Sequence, residues 1–154
     1  MRIWVDADAC PVPIKEILFR SAKRLEIETI LVANQYLRTP ASRFIRAVQV
    51  PGGFDVADDY IEDQVRAADV GITQDIPLAA KIVELGALAL NPRGTLYDKE
   101  SVRGHLARRN FMEEMRGAGM ATGGPEPLNN QDIAAFANQL DRTLTRLLRS
   151  ADGL

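Results

Sequence analysis

The chain of 154 residues is long enough for one domain with a sizeable core and too short for two ordinary domains. Hydrophobic residues make up 46% of it and charged residues 26%, a balance that excludes disordered, collagen-like and disulfide-rich proteins. Nineteen Lys and Arg against 21 Asp and Glu give a net charge of −2, which excludes a strongly basic nucleic-acid coat protein and leaves room for a local basic patch.

The N-terminus predicts neither export nor membrane insertion. Residues 1–6 are too short and too polar a stretch for a signal peptide or a membrane helix. The single cysteine, Cys10, forms no internal disulfide and no structural zinc site, in agreement with a reducing compartment. We therefore expect a cytoplasmic protein without a membrane partner. The sequence does not indicate whether the protein is a monomer or an oligomer.

Short apolar runs alternate with segments of helical periodicity in the first 90 residues. Strands are predicted at 2–6, 27–33, 44–50, 70–73 and 87–90, and helices at 11–26, 56–67 and 76–85. Strands that alternate with helices favour a parallel sheet with right-handed crossovers. The sequence thus predicts a three-layer α/β/α domain with a mostly parallel sheet of about five strands.

A helical C-terminal extension is predicted over residues 91–150, packed on the body so that one domain spans residues 1–150. Residues 91–94 indicate a turn, and helices are expected at about 99–116 and 131–149. Phe136, Leu140 and Leu144 lie on one face of the last helix. Segment 117–127 holds four Gly and two Pro and is expected to be the least ordered.

Acidic residues follow two predicted strands where each strand ends. Asp6 and Asp8 close the first strand, and Asp75 lies just beyond the fourth. Open parallel sheets bind ligands outside the carboxyl ends of their strands, where the strand order reverses. If the first and fourth strands are neighbours there, these three carboxylates converge.

A second acidic group lies on the predicted helix after the third strand. No Lys or Arg interrupts residues 55–63, which contain Asp58 and Asp59, and the repulsion among them would be offset by a hard cation. Carboxylate oxygens favour Mg²⁺ or Mn²⁺ over zinc. The predicted metal ligands are Asp6, Asp8, Asp58, Asp59 and Asp75, and the predicted catalytic residues are Asp6, Asp8, Asp59 and Asp75.

Helix capping is the competing interpretation of the same acids. Asp8 could prepare the first helix, Asp55 with Asp58 fits an N-cap and a third helical position, and Asp75 could cap the helix that follows it. Asp6 and Asp59 are the two acids that capping explains least.

Four other residues are weaker candidates. Arg38 and Arg93 are predicted to bind substrate phosphates, or else to solvate the surface and pair with the acids. Cys10 precedes a helix but has no base close in sequence, which favours a packed thiol. His105 lies among arginines and is expected to be an ordinary surface residue.

An ordered series of motifs resembles the bacterial YaiI/YqxD family of uncharacterised proteins. The motifs are IWVDADACPV at residues 3–12, GFDVADD at 53–59, TQDIPLA at 73–79, NPRG at 91–94 and GGP at 123–125. The resemblance covers almost the whole chain and implies a PIN-like domain, whose nucleases hold divalent metal with converging acids. By position it implies Asp6 as the first-strand acid, Asp58 or Asp59 as the helix acid and Asp75 as the acid after the fourth strand, with Asp8 additional to the usual pattern.

Three functions remain open from these observations. The first is a metal-dependent nuclease, with RNA as the expected partner. The second is a non-catalytic module whose arginine-rich segment 103–116 contacts RNA or a protein, the acids being structural. The third is a phosphatase with Asp6 as nucleophile in an Asp-x-Asp motif. It ranks lower because the second acidic pair, Asp58 and Asp59, precedes Thr73, whereas such phosphatases have this pair after the Ser/Thr strand.

Overall fold

Six strands form one sheet in the order β3-β2-β1-β4-β5-β6. They are β1 (Ile3–Asp6), β2 (Thr29–Ala33), β3 (Ile45–Gln49), β4 (Val70–Ile72), β5 (Leu88–Leu90) and β6 (Leu96–Tyr97). All pairs are parallel except β5 with β6. This computed structural model describes residues 1–119 and 126–151, so the motif at 123–125 and most of segment 117–127 lie outside the described residues.

The described residues form five α-helices, on both faces of the sheet. They are α1 (Val12–Leu25), α2 (Val56–Gln64), α3 (Ile76–Glu84), α4 (Val102–Gly117) and α5 (Asn130–Ala151). One core joins α1 and α5 to the sheet, and a second core joins α2, α3 and the start of α4 to the opposite face. The expected three-layer α/β/α architecture is confirmed. No described helix combines the length and apolar character needed to cross a bilayer.

The alternation of side chains along β1 divides the two cores. Ile3 and Val5 belong to the core beneath α1 and α5, whereas Trp4 belongs to the core beneath α2 and α3. Successive side chains of a strand point to opposite faces. Asp6, the next residue after Val5, is therefore directed toward the side of the sheet that carries α2 and α3.

A buried carboxylate holds β1 beside β4 at the edge of the sheet where these two strands begin. Asp69, which precedes β4, is 3% exposed. Its oxygens accept hydrogen bonds from the backbone N of Arg2 at 2.9 Å, Trp4 Nε1 at 3.2 Å and the backbone N of Arg66 at 2.8 Å. Three donors satisfy this buried charge, which fixes the alignment of the two strands.

The sheet has six strands where about five were expected. The turn at residues 91–94 closes a hairpin, with the backbone N of Asn91 donating to the carbonyl of Thr95 at 2.9 Å. The Asn91 side-chain oxygen accepts from the backbone N of Arg93 and of Thr95. The two residues of β6 are too few to produce a periodic sequence pattern, so the sequence predicts only the turn.

Candidate functional site

β1 and β4 are neighbours in the sheet, which is the arrangement that convergence of the acids required. The chain runs outward from β1 through β2 to β3 and then returns to the other side of β1 as β4, so the strand order reverses between β1 and β4. We call the edge at which β1 to β4 end the carboxyl edge. Asp6 and Asp75 both lie there, at the position where open parallel sheets bind ligands.

A threonine hydroxyl connects these two acids. Thr73, 2% exposed, donates from Oγ1 to Asp6 Oδ2 at 2.9 Å and accepts from the backbone N of Asp75 at 3.0 Å. Burial raises the pKa of Asp6, the charges of Asp75 and Asp8 raise it further, and the Thr73 bond opposes them. Thr73 was not predicted as a site residue, and its only sequence signal is a hydroxyl at the end of an apolar strand.

Asp75 caps a helix, as predicted, and also lies beside Asp6 at the carboxyl edge. It is the N-cap of α3, and its Oδ1 accepts from the backbone N of Leu78 at 3.0 Å. This bond satisfies one of the free donors at the helix terminus. Capping engages Oδ1, so the capping interpretation and the site interpretation both apply to Asp75.

Asp58 projects from the first turn of α2 toward Asp75. Their side chains lie within hydrogen-bonding reach, and the pKa of Asp58 is raised to about 7. Burial is the largest cause, followed by the charges of Asp75 and Asp6, the hydrogen bond with Asp75 and the charge of Asp55. Asp6, Asp58 and Asp75 thus form a carboxylate cluster, in which the Asp58 carboxyl is partly protonated near neutral pH.

The other two predicted ligands have different surroundings. Asp59 is exposed, and its charge acts on Lys81 of α3, which pairs with Glu62 at 3.4 Å. Asp8 is exposed in the short 3-10 turn Ala7–Ala9, and its Oδ2 accepts from the backbone N of Asn34 at 2.7 Å. Of the two acids that the resemblance left open, Asp58 is the one beside Asp75.

The other expected capping roles have different outcomes. The N-cap of α1 is Pro11, so Asp8 does not cap that helix. Asp55 and Asp58 occupy the predicted N-cap and third positions of α2, but Asp55 has the left-handed conformation, with φ of 62°, and its side chain makes no capping bond. Capping by a side-chain hydrogen bond therefore accounts for Asp75 and does not account for Asp8 or Asp55.

The two predicted phosphate ligands differ in what they contact. Arg93 Nη1 pairs with Asp132 of α5 at 2.6 Å, and its Nη2 donates to the carbonyl of Glu126. Its guanidinium therefore tethers the start of α5. Arg38 is exposed in the loop after β2 and makes no ion pair within the described part of the chain.

Cys10 and His105 both make packing contacts. Cys10 is 7% exposed in the core beneath α1, and burial raises its pKa to about 12, so the thiol is protonated at neutral pH. His105 is half-buried and packs edge-to-face on Tyr97, with the ring centroids 4.9 Å apart. The packed thiol is the expected one, whereas His105 is more buried than an ordinary surface residue.

The carboxylate cluster offers oxygen atoms, the donor type that a hard divalent cation prefers. Within residues 1–119 and 126–151, no group of three or more His, Cys, Asp or Glu side chains stands close enough to hold a metal ion. Mg²⁺, however, usually takes one or two carboxylates and keeps several waters. Asn34 Oδ1, which follows β2 at the same edge, is a further buried oxygen without a hydrogen-bond partner among the described residues. Asp58 and Asp75 are two such carboxylates, and the charge of Asp6 acts on Asp58.

Comparison with known proteins places the chain among uncharacterised bacterial proteins. A family model described as the uncharacterised YaiI/YqxD family matches residues 4–146. A UPF0178 protein of Dechloromonas aromatica (strain RCB) is 58% identical over 147 residues, covering 96% of this chain and 98% of its own. One of Janthinobacterium sp. (strain Marseille) is 58% identical over 146 residues, covering 95% and 97%. No solved structure matches the chain significantly.

Proposed function

Because the chain belongs to the YaiI/YqxD family, whose description states no activity, we propose a function from the carboxylate cluster itself: divalent-metal-dependent hydrolysis of phosphodiester bonds in RNA. The observation that carries the proposal is the convergence of Asp6, Asp58 and Asp75 at the switch point between β1 and β4. Perturbed carboxyl groups gathered at such a point are typical of functional sites.

Each residue of the site has a defined part in this function. Asp6 at the end of β1 and Asp75 at the N-cap of α3, just beyond β4, would supply carboxylate oxygens, and Thr73 fixes the orientation of Asp6 through its hydroxyl. Asp58, whose pKa is raised first by burial and then by the charges of Asp75 and Asp6, would lose its proton if a cation were bound beside it. When bound, Mg²⁺ or Mn²⁺ would activate water and stabilise charge on the phosphate.

The choice of a nucleic acid rests on charge in the loop after β2, and RNA is kept as the partner expected from the sequence. Arg38 carries a guanidinium without an ion-pair partner in the described residues, in the loop that follows β2. Arginine forms charge-assisted hydrogen bonds with phosphate oxygens. The predicted role of Arg38 as a backbone ligand is therefore kept, whereas Arg93 is assigned to the tethering of α5.

The test combines metal binding with cleavage in matched variants. Mn²⁺ titration by calorimetry and hydrolysis of a labelled single-stranded RNA are measured for the wild type, Asp6→Asn, Asp58→Asn and Asp75→Asn. Asp63→Asn is the control, because Asp63 is exposed on the same helix as Asp58 and has the same charge. Asp59→Asn separates the two neighbouring acids of α2.

We expect the three cluster variants to lose cleavage at least about a hundredfold, the size typical of a lost electrostatic contact in the transition state. Their Mn²⁺ affinity falls as well, while Asp63→Asn and Asp59→Asn behave as the wild type. Undiminished cleavage by the Asp6→Asn, Asp75→Asn double variant, or a wild type that binds no Mn²⁺, contradicts the proposal.

A non-catalytic RNA- or protein-binding module is the second candidate, favoured by the surface of α4. Only Val102 of this helix is buried, and Arg103 and Arg108 are exposed. A wild type that binds neither Mg²⁺ nor Mn²⁺ yet associates with RNA, with an affinity that falls as salt rises, favours this function over hydrolysis.

A further inference from the structure

The two most exposed large hydrophobic side chains in the described part of the chain are both aromatic. Phe54 is 94% exposed and Tyr36 is 80% exposed. Single exposed apolar residues are common on protein surfaces and carry no argument by themselves. The position of these two relative to the carboxylate cluster is what calls for an explanation.

Tyr36 and Phe54 lie in loops that leave the carboxyl edge from adjacent strands. Tyr36 follows β2, and Phe54 follows β3. Neighbouring strands are about 4.8 Å apart, so the ends of β1 and β3 are about 10 Å apart. Both aromatic residues therefore follow strands that end at the edge that holds Asp6.

Hydrogen bonds attach the start of the loop after β2 to Asp8 and to the end of β3. Asn34, two residues before Tyr36, donates from its backbone N to Asp8 and accepts at its carbonyl from Gln49 Nε2 at the end of β3. Phe54 directly precedes Asp55, the N-cap of the helix that carries Asp58. Each aromatic residue is thus close in sequence to a residue at the carboxyl edge.

The surface around Tyr36 has the charge of a nucleic-acid site. A groove of about 460 Å³ lies between the loop of residues 35–39 and β3, lined in part by Tyr36, Arg38 and Arg46. No acidic residue lines this groove. Arg46 pairs with Glu28 at 3.3 Å, whereas Arg38 has no such partner among the described residues. Backbone phosphates complement this charge.

We propose that Tyr36 and Phe54 form a stacking site for the unpaired bases of a single-stranded nucleic acid, with Arg38 on its phosphates. Base stacking on exposed aromatic rings beside arginine is how single strands are bound without reading their sequence. Paired bases have their faces covered, so a duplex gains nothing from these rings. This inference rests on the proposed function, because the stacking site would bring a strand to the carboxylate cluster that cleaves it.

The test measures binding in the absence of cleavage. Fluorescence anisotropy in EDTA gives the affinity of the full chain for a labelled single-stranded RNA, a single-stranded DNA of the same sequence and the matching RNA duplex. The variants are Tyr36→Ala, Phe54→Ala and Phe54→Trp, which keeps a stacking ring. Phe111→Ala is the control, because Phe111 is also an exposed aromatic, 56% exposed, but lies on α4.

We expect single strands to bind more tightly than the duplex, and each alanine variant at the edge to weaken that binding about tenfold. Phe54→Trp and Phe111→Ala keep the wild-type affinity, and Arg38→Gln lowers the salt dependence by about one phosphate contact. Preference for RNA or for DNA identifies the source of the bases, and either preference supports the proposal.

Equal binding by the wild type and the alanine variants overturns the stacking site, as does a wild type that binds no single strand. Sedimentation velocity covers the remaining alternative: if Tyr36→Ala or Phe54→Ala converts a dimer to a monomer, the rings are a subunit interface and the proposal is wrong. Because binding is measured in EDTA, the two proposals can fail separately. Equal binding by the alanine variants would overturn the stacking site without bearing on cleavage, and an absence of cleavage would overturn the hydrolase without bearing on the binding result.

Discussion

Asp58 on α2 and Asp75 at the start of α3 lie within hydrogen-bonding reach of each other, although each belongs to a different helix. Burial and then the charge of Asp75 raise the pKa of Asp58. The fold therefore places Asp58 where its charged form is disfavoured, which is an arrangement that a bound cation would relieve.

The raised pKa of Asp58 predicts a loss of stability as the pH rises. Its pKa is about 7 in the folded protein and about 4 in the unfolded chain, so the unfolded state releases the proton first. The stabilising contribution is complete below pH 4 and is lost as the pH passes through about 7. Because the site is partly exposed, solvent screening limits the loss to about 1 to 2 kcal/mol.

Urea unfolding at pH 5 and pH 8 measures this effect. Asp58→Asn, which carries no charge at this position, should have a higher free energy of unfolding than the wild type at pH 8. The difference between the two proteins should be smaller at pH 5. Asp63→Asn should show the pH dependence of the wild type, since Asp63 is exposed and lies outside the cluster. A wild type and an Asp58→Asn variant whose stability difference stays constant between the two pH values would contradict the assignment.

The convergence of Asp6 and Asp75 follows from rules that act on the sequence alone. Asp6 ends one strand that the apolar pattern predicts and Asp75 lies just beyond another, and parallel strands end at one edge. What the sequence could not decide is which acid of α2 joins them. Asp58 and Asp59 differ by one position, about 100° around the helix, and that phase depends on how α2 packs on Trp4 and the sheet.

Contacts between distant residues were equally beyond the sequence pattern. Asp69 binds Trp4 across 65 positions, and Arg93 binds Asp132 across 39 positions. Neither pairing has a local signature, because charge and periodicity within a window say nothing of partners outside it. Arg93 was accordingly predicted as a phosphate ligand, whereas its structural surroundings are those of a tether for α5.

Removal of the Asp69 carboxylate should destabilise the protein strongly. Asp69→Ala leaves Trp4 Nε1 and the backbone N of Arg2 and of Arg66 without their acceptor, at a cost of about 3 kcal/mol. Denaturant unfolding followed by the fluorescence of Trp4, the single tryptophan, measures it. Asp63→Asn should stay within about 0.5 kcal/mol of the wild type, as expected of an exposed site. A similarly small effect of Asp69→Ala would contradict the role of this carboxylate.

Gly94 should be intolerant of any side chain. Its φ is +92°, and a Cβ there would lie 2.7 Å from the carbonyl carbon of Ala135 in α5. Gly94→Ala therefore combines backbone strain with a backbone clash, which we expect to cost about 3 kcal/mol. Gly104→Ala is the matched control, because nothing lies within 4 Å of that position in α4 and alanine favours a helix. Thermal unfolding should show the control unchanged or more stable. Equal stability of the two variants would contradict the close contact between the turn at Gly94 and α5.

Arg93 and Arg38 should separate stability from nucleic-acid binding. Arg93→Gln breaks the ion pair with Asp132, whose Oδ2 also accepts from the backbone N of Asn129 at the start of α5. For this partly exposed pair we expect a loss of about 1 kcal/mol in unfolding free energy, with no change in affinity for single-stranded RNA. Arg38→Gln should do the reverse, because its guanidinium is exposed and supports no described ion pair. Unfolding and anisotropy measured on both variants decide between these roles, and weaker RNA binding by a fully folded Arg93→Gln would return Arg93 to the phosphate-binding role.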